Sequence, residues 1–532
     1  MSAHRISYAA SQRFTQLVQD QVARDPFLDD FQLFPPTLEG LKQAASKRAF
    51  PADHRSVLVK ALRRQYEGLD ISGAVGENID RLARTDALTV TTGHQLCLFT
   101  GPMYVPFKLL NAIRLARTLT EELKRPVVPI FWMATEDHDR AEIDHAWIGE
   151  KKVVWPGANN GAVGRLQLKG IEQVLTQLDP LLGVGAEADV LRAELRRCYR
   201  PDFTLAQATR RFVHALFGRY GLVVIDGDDR ELKKLFVPVM REELLNGIAQ
   251  RSVGYADERL KERYPAQAHA RPINLFHLRP GHRSRIEADG DHYQVVDGGP
   301  RFTADELLLD LELRPQDYSP NVLLRPVYQE VILPNIAYIG GGGELAYWMQ
   351  LKWLFQSVQV PMPVVLLRTS AAFLSAKHDG QRLELGLGIE DLFRPAHELN
   401  NLVAHRTSGT DTSLVEAQQE LDAFFQRLRQ RASAIDPSLA ASTESAAVRA
   451  QRMLTKLQGK MDRALRRREA VHLERLQNIL AELFPNGGLQ ERRDNVLPML
   501  AAEGPAVLDR LMQELDPLDV RFTVLVEGGA SA

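Results

Sequence analysis

The sequence predicts an α/β protein: a parallel-sheet core carrying an inserted antiparallel segment, followed by a long helical arm near the C-terminus. Three observations carry this expectation. Ala87–Thr91 is a short β-branched run, Pro102–Leu123 has helical apolar spacing, and Val127–Trp132 is a second apolar run; strand, helix and strand in that order make a βαβ unit with parallel strands. Helix Phe203–Tyr220, strand Leu222–Asp226 and helix Arg230–Leu245 repeat the alternation. From about Asp411 the pattern changes to stripes at helical spacing, first Leu414, Leu421 and Leu428 with Ala417 and Phe424 between them. After Pro437 come Leu454, Leu457, Met461 and Leu465, then Leu473, Leu476, Leu480 and Leu483. Their register drifts, as in a coiled coil or helical hairpin of two long arms, and Pro485-Asn486-Gly487-Gly488 ends it.

Residues 1–85 read as helical, over Ser11–Val22, Thr37–Lys47, Asp53–Tyr66 and Ala74–Ala83. Pro102 suits a first helical turn, and Pro106 delays the regular helix by a turn. Another helix is expected near Arg140. Gly157–Gly164 reads as a turn, and short strands at Pro272–Leu278, Arg283–Ala288 and His292–Val296 suggest a subdomain inserted around 150–315. The core resumes with Val322–Glu330, Ala337–Ile339, a helix after Gly343 and strand Val364–Leu367. The plan is thus a helical part (1–85), a core (86–405), a helical arm (411–484) and a final segment (485–532) returning to the core. Arms packing only on each other would satisfy the arm's pattern; a homodimer joined through the arm is the sharper expectation.

Composition narrows the function. The chain has 532 residues, 45% hydrophobic and 25% charged, with a net charge of −2, so nothing marks a nucleic-acid binder or a disordered chain. Cys97 and Cys198 are the only cysteines, which fits a reducing compartment and leaves too few thiols for a four-cysteine zinc site. The N-terminus lacks an apolar signal region, and no run of about 18 apolar residues occurs. The expectation is a cytoplasmic protein without membrane or nucleic-acid partners.

Three constellations could carry chemistry. Thr91-Thr92-Gly93-His94-Gln95 follows a sheet strand, where ligands of open parallel sheets bind; Gly93 admits close approach and His94 can bond phosphate or move a proton. Thr100-Gly101-Pro102 then opens a helix bearing Tyr104 and Lys108 on one face, with an anion-favouring N-terminus. Cys97 among apolar neighbours reads as a packed residue rather than a nucleophile. The second constellation is Glu136-Asp137-His138-Asp139, extended by Glu142, Asp144 and His145; it suits a divalent cation or an ammonium group. Helix capping by Thr135 or Asp137 would account for one or two of these acids, but less well for the run. His138 and His145 lack zincin spacing. The third joins Asn321, Arg325, Tyr328 and Gln329 to Gly340–Gly343 and Glu344. Gly341 and Gly342 could wrap an anion or a sugar, and Arg325 offers a fork for carboxylate or phosphate. A flexible loop with Arg325 paired to Glu330 is the plainer alternative.

These segments, in this order, resemble the BshC family of cysteine ligases of bacillithiol biosynthesis. The resemblance rests on Thr91–Gln95, Leu98–Pro102 with Tyr104 and Lys108, then Pro129–Asp139. It continues through Ser319–Asn321, Leu324–Gln329, Leu333-Pro334 and Tyr338–Trp348, and Gln490-Glu491-Arg492 with Asn495 and Pro498 extends it over nearly the whole chain. Gly342-Gly343 is a small departure, where a proline or another small residue is expected. The resemblance implies a Rossmann-like core, inserted connecting segments, a C-terminal coiled coil, and the joining of cysteine to the amino group of glucosaminyl-malate. Such amide formation needs an activated carboxylate, which implies ATP with Mg²⁺. On this reading His94, Glu136, Asp137, His138 and Asp139 are catalytic, with Asp137 and Asp139 able to meet Mg²⁺. Thr92, Gly93, Gln95, Gly101, Tyr104, Lys108, Asn321, Arg325, Tyr328, Gln329, Gly341, Gly342 and Glu344 bind substrate, with Lys108 and Arg325 on the malyl carboxylates. No synthetase-type lysine loop is evident. The alternative is a nucleotide- or sugar-binding accessory protein of thiol biosynthesis without ligase activity of its own.

Overall fold

A computed structural model describes residues 2–157 and 160–528. At its centre lies a five-stranded sheet of β2 (Leu88–His94), β3 (Val127–Met133), β6 (Val223–Asp226), β12 (Asn335–Gly340) and β13 (Val364–Leu367). The order is β13-β12-β2-β3-β6, every pair parallel. This is the expected Rossmann-like α/β core. Every residue of β3 and β12 is buried, as a parallel sheet covered on both faces requires. The chain runs outward from β2 through β3 to β6, then returns to the other side of β2 with β12. The point between β2 and β12 is therefore the topological switch, and a crevice opens there beyond the carboxyl ends of the strands.

The helix after β2 spans Tyr104–Leu123, two residues later than expected. Pro106 sits in its first turn, where a missing N–H costs no intrahelical bond. The preceding loop holds Phe99, Thr100 and Gly101 at φ 54°, 71° and 69°. Two of the three are not glycine, so this backbone is strained and needs outside support. Support comes from the Tyr199 hydroxyl, which accepts from the Phe99 amide at 3.0 Å, and from Asn495 Nδ2, which donates to the carbonyls of Phe99 (2.9 Å) and Gly101 (2.6 Å).

The helix expected near Arg140 is only a 3₁₀ turn, Arg140–Glu142, followed by the hairpin β4 (His145–Ile148) and β5 (Lys151–Val154). Of the expected Gly157–Gly164 turn, Ala158 and Asn159 lie outside the described residues. The inserted antiparallel strands form one sheet of β7 (Leu275–Arg279), β8 (His282–Asp289), β9 (His292–Val295), β10 (Arg301–Thr303) and β11 (Tyr318–Pro320), in the order β10-β9-β8-β7-β11. Ser319 and Pro320 thus belong to an edge strand of the insertion.

The N-terminal region is not wholly helical. β1 (Ser2–Ser7) pairs with β15 (Arg521–Val526), which also pairs with β14 (Ala371–Leu374). The strand SAHRIS is too short and polar to announce itself; its partner lies at the other end of the chain. Beyond this small sheet rise the arm helices Val415–Ile435 and Leu439–Arg468, then helix Ala470–Leu483, whose Leu476, Ile479 and Leu483 are buried against it. These helices form the C-terminal coiled-coil domain. No helix among the described residues is long and apolar enough to cross a membrane.

Candidate active site

A cavity of about 680 Å³ lies at the switch point, within the size range of small-molecule sites. The ends of β2 and β3 supply Gly93, His94, Gln95, Glu136 and Asp137 to its wall; the turn after β12 supplies Gly341, Gly342 and Glu344; Tyr104, Asn321 and Arg325 are the other expected residues that reach it. Three stretches far apart in sequence thus meet on one surface. Gly93 permits this closeness: a Cβ there would stand 3.2 Å from the Tyr338 hydroxyl.

His94 Nδ1 lies 3.0 Å from the Gln95 carbonyl and Nε2 lies 2.8 Å from the Tyr104 hydroxyl. A carbonyl only accepts, so Nδ1 carries the proton and Nε2 accepts from Tyr104. Burial, with Lys108 nearby, pushes the imidazole down to about 4, so His94 is neutral and cannot greet phosphate as a cation. Cys97 is buried beneath it, its thiol pushed up by burial to about 12; it is a packed residue.

The acids after β3 do not cap a helix. Thr135 Oγ1 donates to Asp226 Oδ1 at 2.5 Å, and Asp137 Oδ1 accepts from the His138 amide at 2.7 Å. Gln95 Nε2 donates to Asp137 Oδ2, and Arg283 Nη1 stands 3.8 Å from Oδ1. Burial alone would raise the Asp137 carboxyl, but the His138 side chain, Arg283 and the His138 amide outweigh it and hold it well below the usual carboxylate range. Glu136 is buried against the Lys233 ammonium, which also stands 3.4 Å from Asp228; burial raises its carboxyl, with Lys233 opposing. Each of the two acids therefore already has a cation. Among the described residues no group of three or more His, Cys, Asp or Glu side chains converges to hold a metal, and Asp139 is off the cavity wall. This donor set does not fit a resident Mg²⁺ at Asp137 and Asp139.

Several expected ligand-binding residues serve the scaffold instead. Lys108 lies beneath the cavity, 1% exposed, donating to the Gly93 carbonyl and to Glu344 Oε2 (2.6 Å). It ties the tip of β2 to the glycine turn and is not free for a malyl carboxylate. Glu344 also accepts from the Gly341 amide (2.8 Å) and the Tyr338 hydroxyl (2.6 Å). Thr92 Oγ1 donates to the Ile339 carbonyl, cross-linking β2 and β12. Tyr328 donates to the Gly227 carbonyl and Gln329 to Glu330, both fully buried. Gly101 is held within the loop, and the Met103 amide at the helix start donates to the Asp494 carbonyl at 2.7 Å, so that N-terminus is capped by protein rather than open to an anion. His138 accepts from Arg283 at 3.0 Å beside the cavity. Arg325 does not pair with Glu330: its Nη1 donates to Gln329 Oε1 at 3.1 Å, while Glu330 faces Arg48 at 3.6 Å.

Sequence reasoning missed Arg283, which β8 of the insertion brings across the cavity, over the Phe276 ring at 3.9 Å. It also missed Arg368 and the site role of Arg492. Arg368 and Glu491 form a fully buried bidentate pair at 2.9 and 2.8 Å, and the Arg368 guanidinium lies 4.9 Å from the Tyr104 ring centre. A familial Gln490-Glu491-Arg492 was a visible signal; its partner at 368 was not.

Residues 1–369 match the family described as "Bacillithiol biosynthesis BshC, N-terminal Rossmann-like domain", and residues 371–527 match "Bacillithiol biosynthesis BshC, C-terminal coiled-coil domain". Among similar proteins is one from Flavobacterium johnsoniae, 37% identical over 98% of this chain and 99% of the relative. Relatives from Christiangramia forsetii (35%, covering 99% and 100%) and Cytophaga hutchinsonii (35%, covering 97% and 97%) are comparable. All three carry the name "Putative cysteine ligase BshC".

Proposed function

The chain belongs to the BshC family of bacillithiol biosynthesis, and from that premise we propose that it is a carbon–nitrogen ligase joining the carboxyl of L-cysteine to the amino group of glucosaminyl-malate. The observation that carries this reading is the switch-point cavity, whose lining joins the carboxylates Glu136 and Asp137 after β3 to Arg325, Arg368 and Arg492 from other parts of the chain. Such a cavity can hold an amine acceptor and an anionic donor at once. ATP, arriving with its Mg²⁺ as a substrate, would activate the cysteine carboxylate as an acyl-adenylate, releasing pyrophosphate, or as an acyl-phosphate, releasing ADP. The amine then attacks the acyl carbon, the bond to the phosphate oxygen breaks, and the ammonium proton leaves.

Asp137, held ionised, orients the ammonium of the acceptor by charge. Glu136, whose carboxyl burial raises, is better matched to taking the proton. His94 orients the Tyr104 phenol on the cavity wall rather than meeting phosphate. The test is to incubate purified protein with cysteine, glucosaminyl-malate and ATP and follow product by mass spectrometry, with AMP and ADP quantified to tell the two intermediates apart. No product from folded protein, with nucleotide binding intact, would leave the accessory-protein reading.

A further inference from the structure

Arg325, Arg368 and Arg492 face the same cavity, and two of the three charges are not balanced there. Arg368 is matched by Glu491, and Lys108 by Glu344. Among the described residues, neither Arg325 nor Arg492 has a carboxylate within ion-pair distance. Arg325 spends Nη1 on a neutral amide, and its Nη2 is buried with only the neutral Tyr347 phenol beside it and no well-formed hydrogen bond. Arg368 is 3% exposed, yet its Nε is also without a partner and lies beside Gly341, 3.6 Å from where a Cβ would stand. Buried guanidinium N–H groups left unmade are costly, and two of them border one cavity beside a turn that carries no side chains. Glu136 and Asp137 differ, because Lys233 and Arg283 already answer them.

We propose that Arg325, Arg368 and Arg492 form a subsite for a doubly charged anionic group, either two neighbouring carboxylates or a phosphate, with Glu491 as the positioning residue that holds Arg368. The arginine fork suits both chemistries. Under the ligase reading, on which only the ligand's identity rests, these are the dicarboxylate arm of the acceptor or a phosphate of the activating nucleotide. Two of the three arginines flank the coiled-coil boundary: Arg368 precedes β14, and Arg492 follows the arm. The segment after the arm therefore completes the substrate cavity, and the arm is spliced between two halves of one wall.

The test is equilibrium binding by calorimetry to the full-length protein, using L-malate, inorganic phosphate and the monocarboxylate L-lactate as probes. Arg325→Gln and Arg492→Gln avoid the buried pair, and circular dichroism checks that each variant is folded. Expected is binding of malate or phosphate, weakened about ten- to hundredfold in each variant, with lactate affected much less. Malate as the tighter probe assigns the subsite to a dicarboxylate; phosphate as the tighter probe assigns it to a nucleotide phosphate. No binding of either dianion, or dissociation constants unchanged in both variants, would overturn the proposal. Binding is read without turnover, so wild-type protein that binds a dianion through these arginines but makes no product fails the ligase reading alone.

Discussion

Asp137 and His94 show how the cavity sets charge residue by residue. Asp137 stays ionised through the hydrogen bonds and guanidinium around it, while burial strips His94 of its proton. Asp137→Asn keeps the shape and removes the charge. It is expected to lower kcat/KM for the acceptor about ten- to hundredfold, the scale of a lost hydrogen bond to a charged group, while melting within a few degrees of wild type; full activity in the mass-spectrometric assay would exclude Asp137 from the site. His94 also leaves a signature in stability. Its folded pKa of about 4 lies below the ordinary 6.5, so the unfolded chain binds more protons between those values. Stability is therefore fully present above about pH 6.5 and is lost as pH falls toward 4. Urea midpoints measured from pH 4.5 to 7.5 should fall with acid, and the fall should be shallower in His94→Gln; identical slopes would show that His94 is not desolvated in solution.

Between elements, the decisive contacts join the core to the segment after the arm. Glu491 accepts from Arg368 and from the Ala371 amide at 3.0 Å, and Gln490 Oε1 accepts from the Phe373 amide at 2.7 Å. Asn495 meanwhile holds the strained Phe99–Gly101 loop that leads into Tyr104. Removing one member of a buried ion pair strands the other, so Glu491→Gln should cost about 3–5 kcal/mol in urea unfolding. Arg368→Met with Glu491→Leu should cost less, because no charge is left buried; equal losses would show that packing rather than charge dominates there.

At the scale of the molecule, the arm is separable in a way its neighbour helix is not. Helix Val415–Ile435 has no buried residue, and Ile435 and Met453 are 81% and 71% exposed. Helix Ala470–Leu483 instead closes the core of the small sheet. Thr412 Oγ1 bonds Asp462, so the arm's two ends meet. Excising 414–460 and bridging the gap with a short glycine linker should therefore leave the core folded, with far-UV signal lost in proportion to the helix removed. If two copies pair through the arm, as its exposed apolar residues favour, sedimentation should show a dimer becoming a monomer; a dimer that survives excision places the contact elsewhere.

Local pattern by itself determined the βαβ unit, the parallel core, the antiparallel insertion and the helical arm. Periodicity and turn residues act over a few neighbours, and they sufficed for Leu88–His94, Val127–Met133 and the stripes after Asp411. Motif order likewise marked most of the cavity's wall, because the strand tips that carry ligands are also where glycines and acids gather. What only the tertiary structure decided was the partnership of charges. Lys108 turned inward to Glu344, Lys233 and Arg283 took up the acids, β1 found β15 across the whole chain, and Arg368 met Glu491 from beyond the arm. Each of these pairings is set by burial and by contacts between residues distant in sequence. A charged side chain buried in the fold must find a partner wherever the fold supplies one, and no local pattern records where that is.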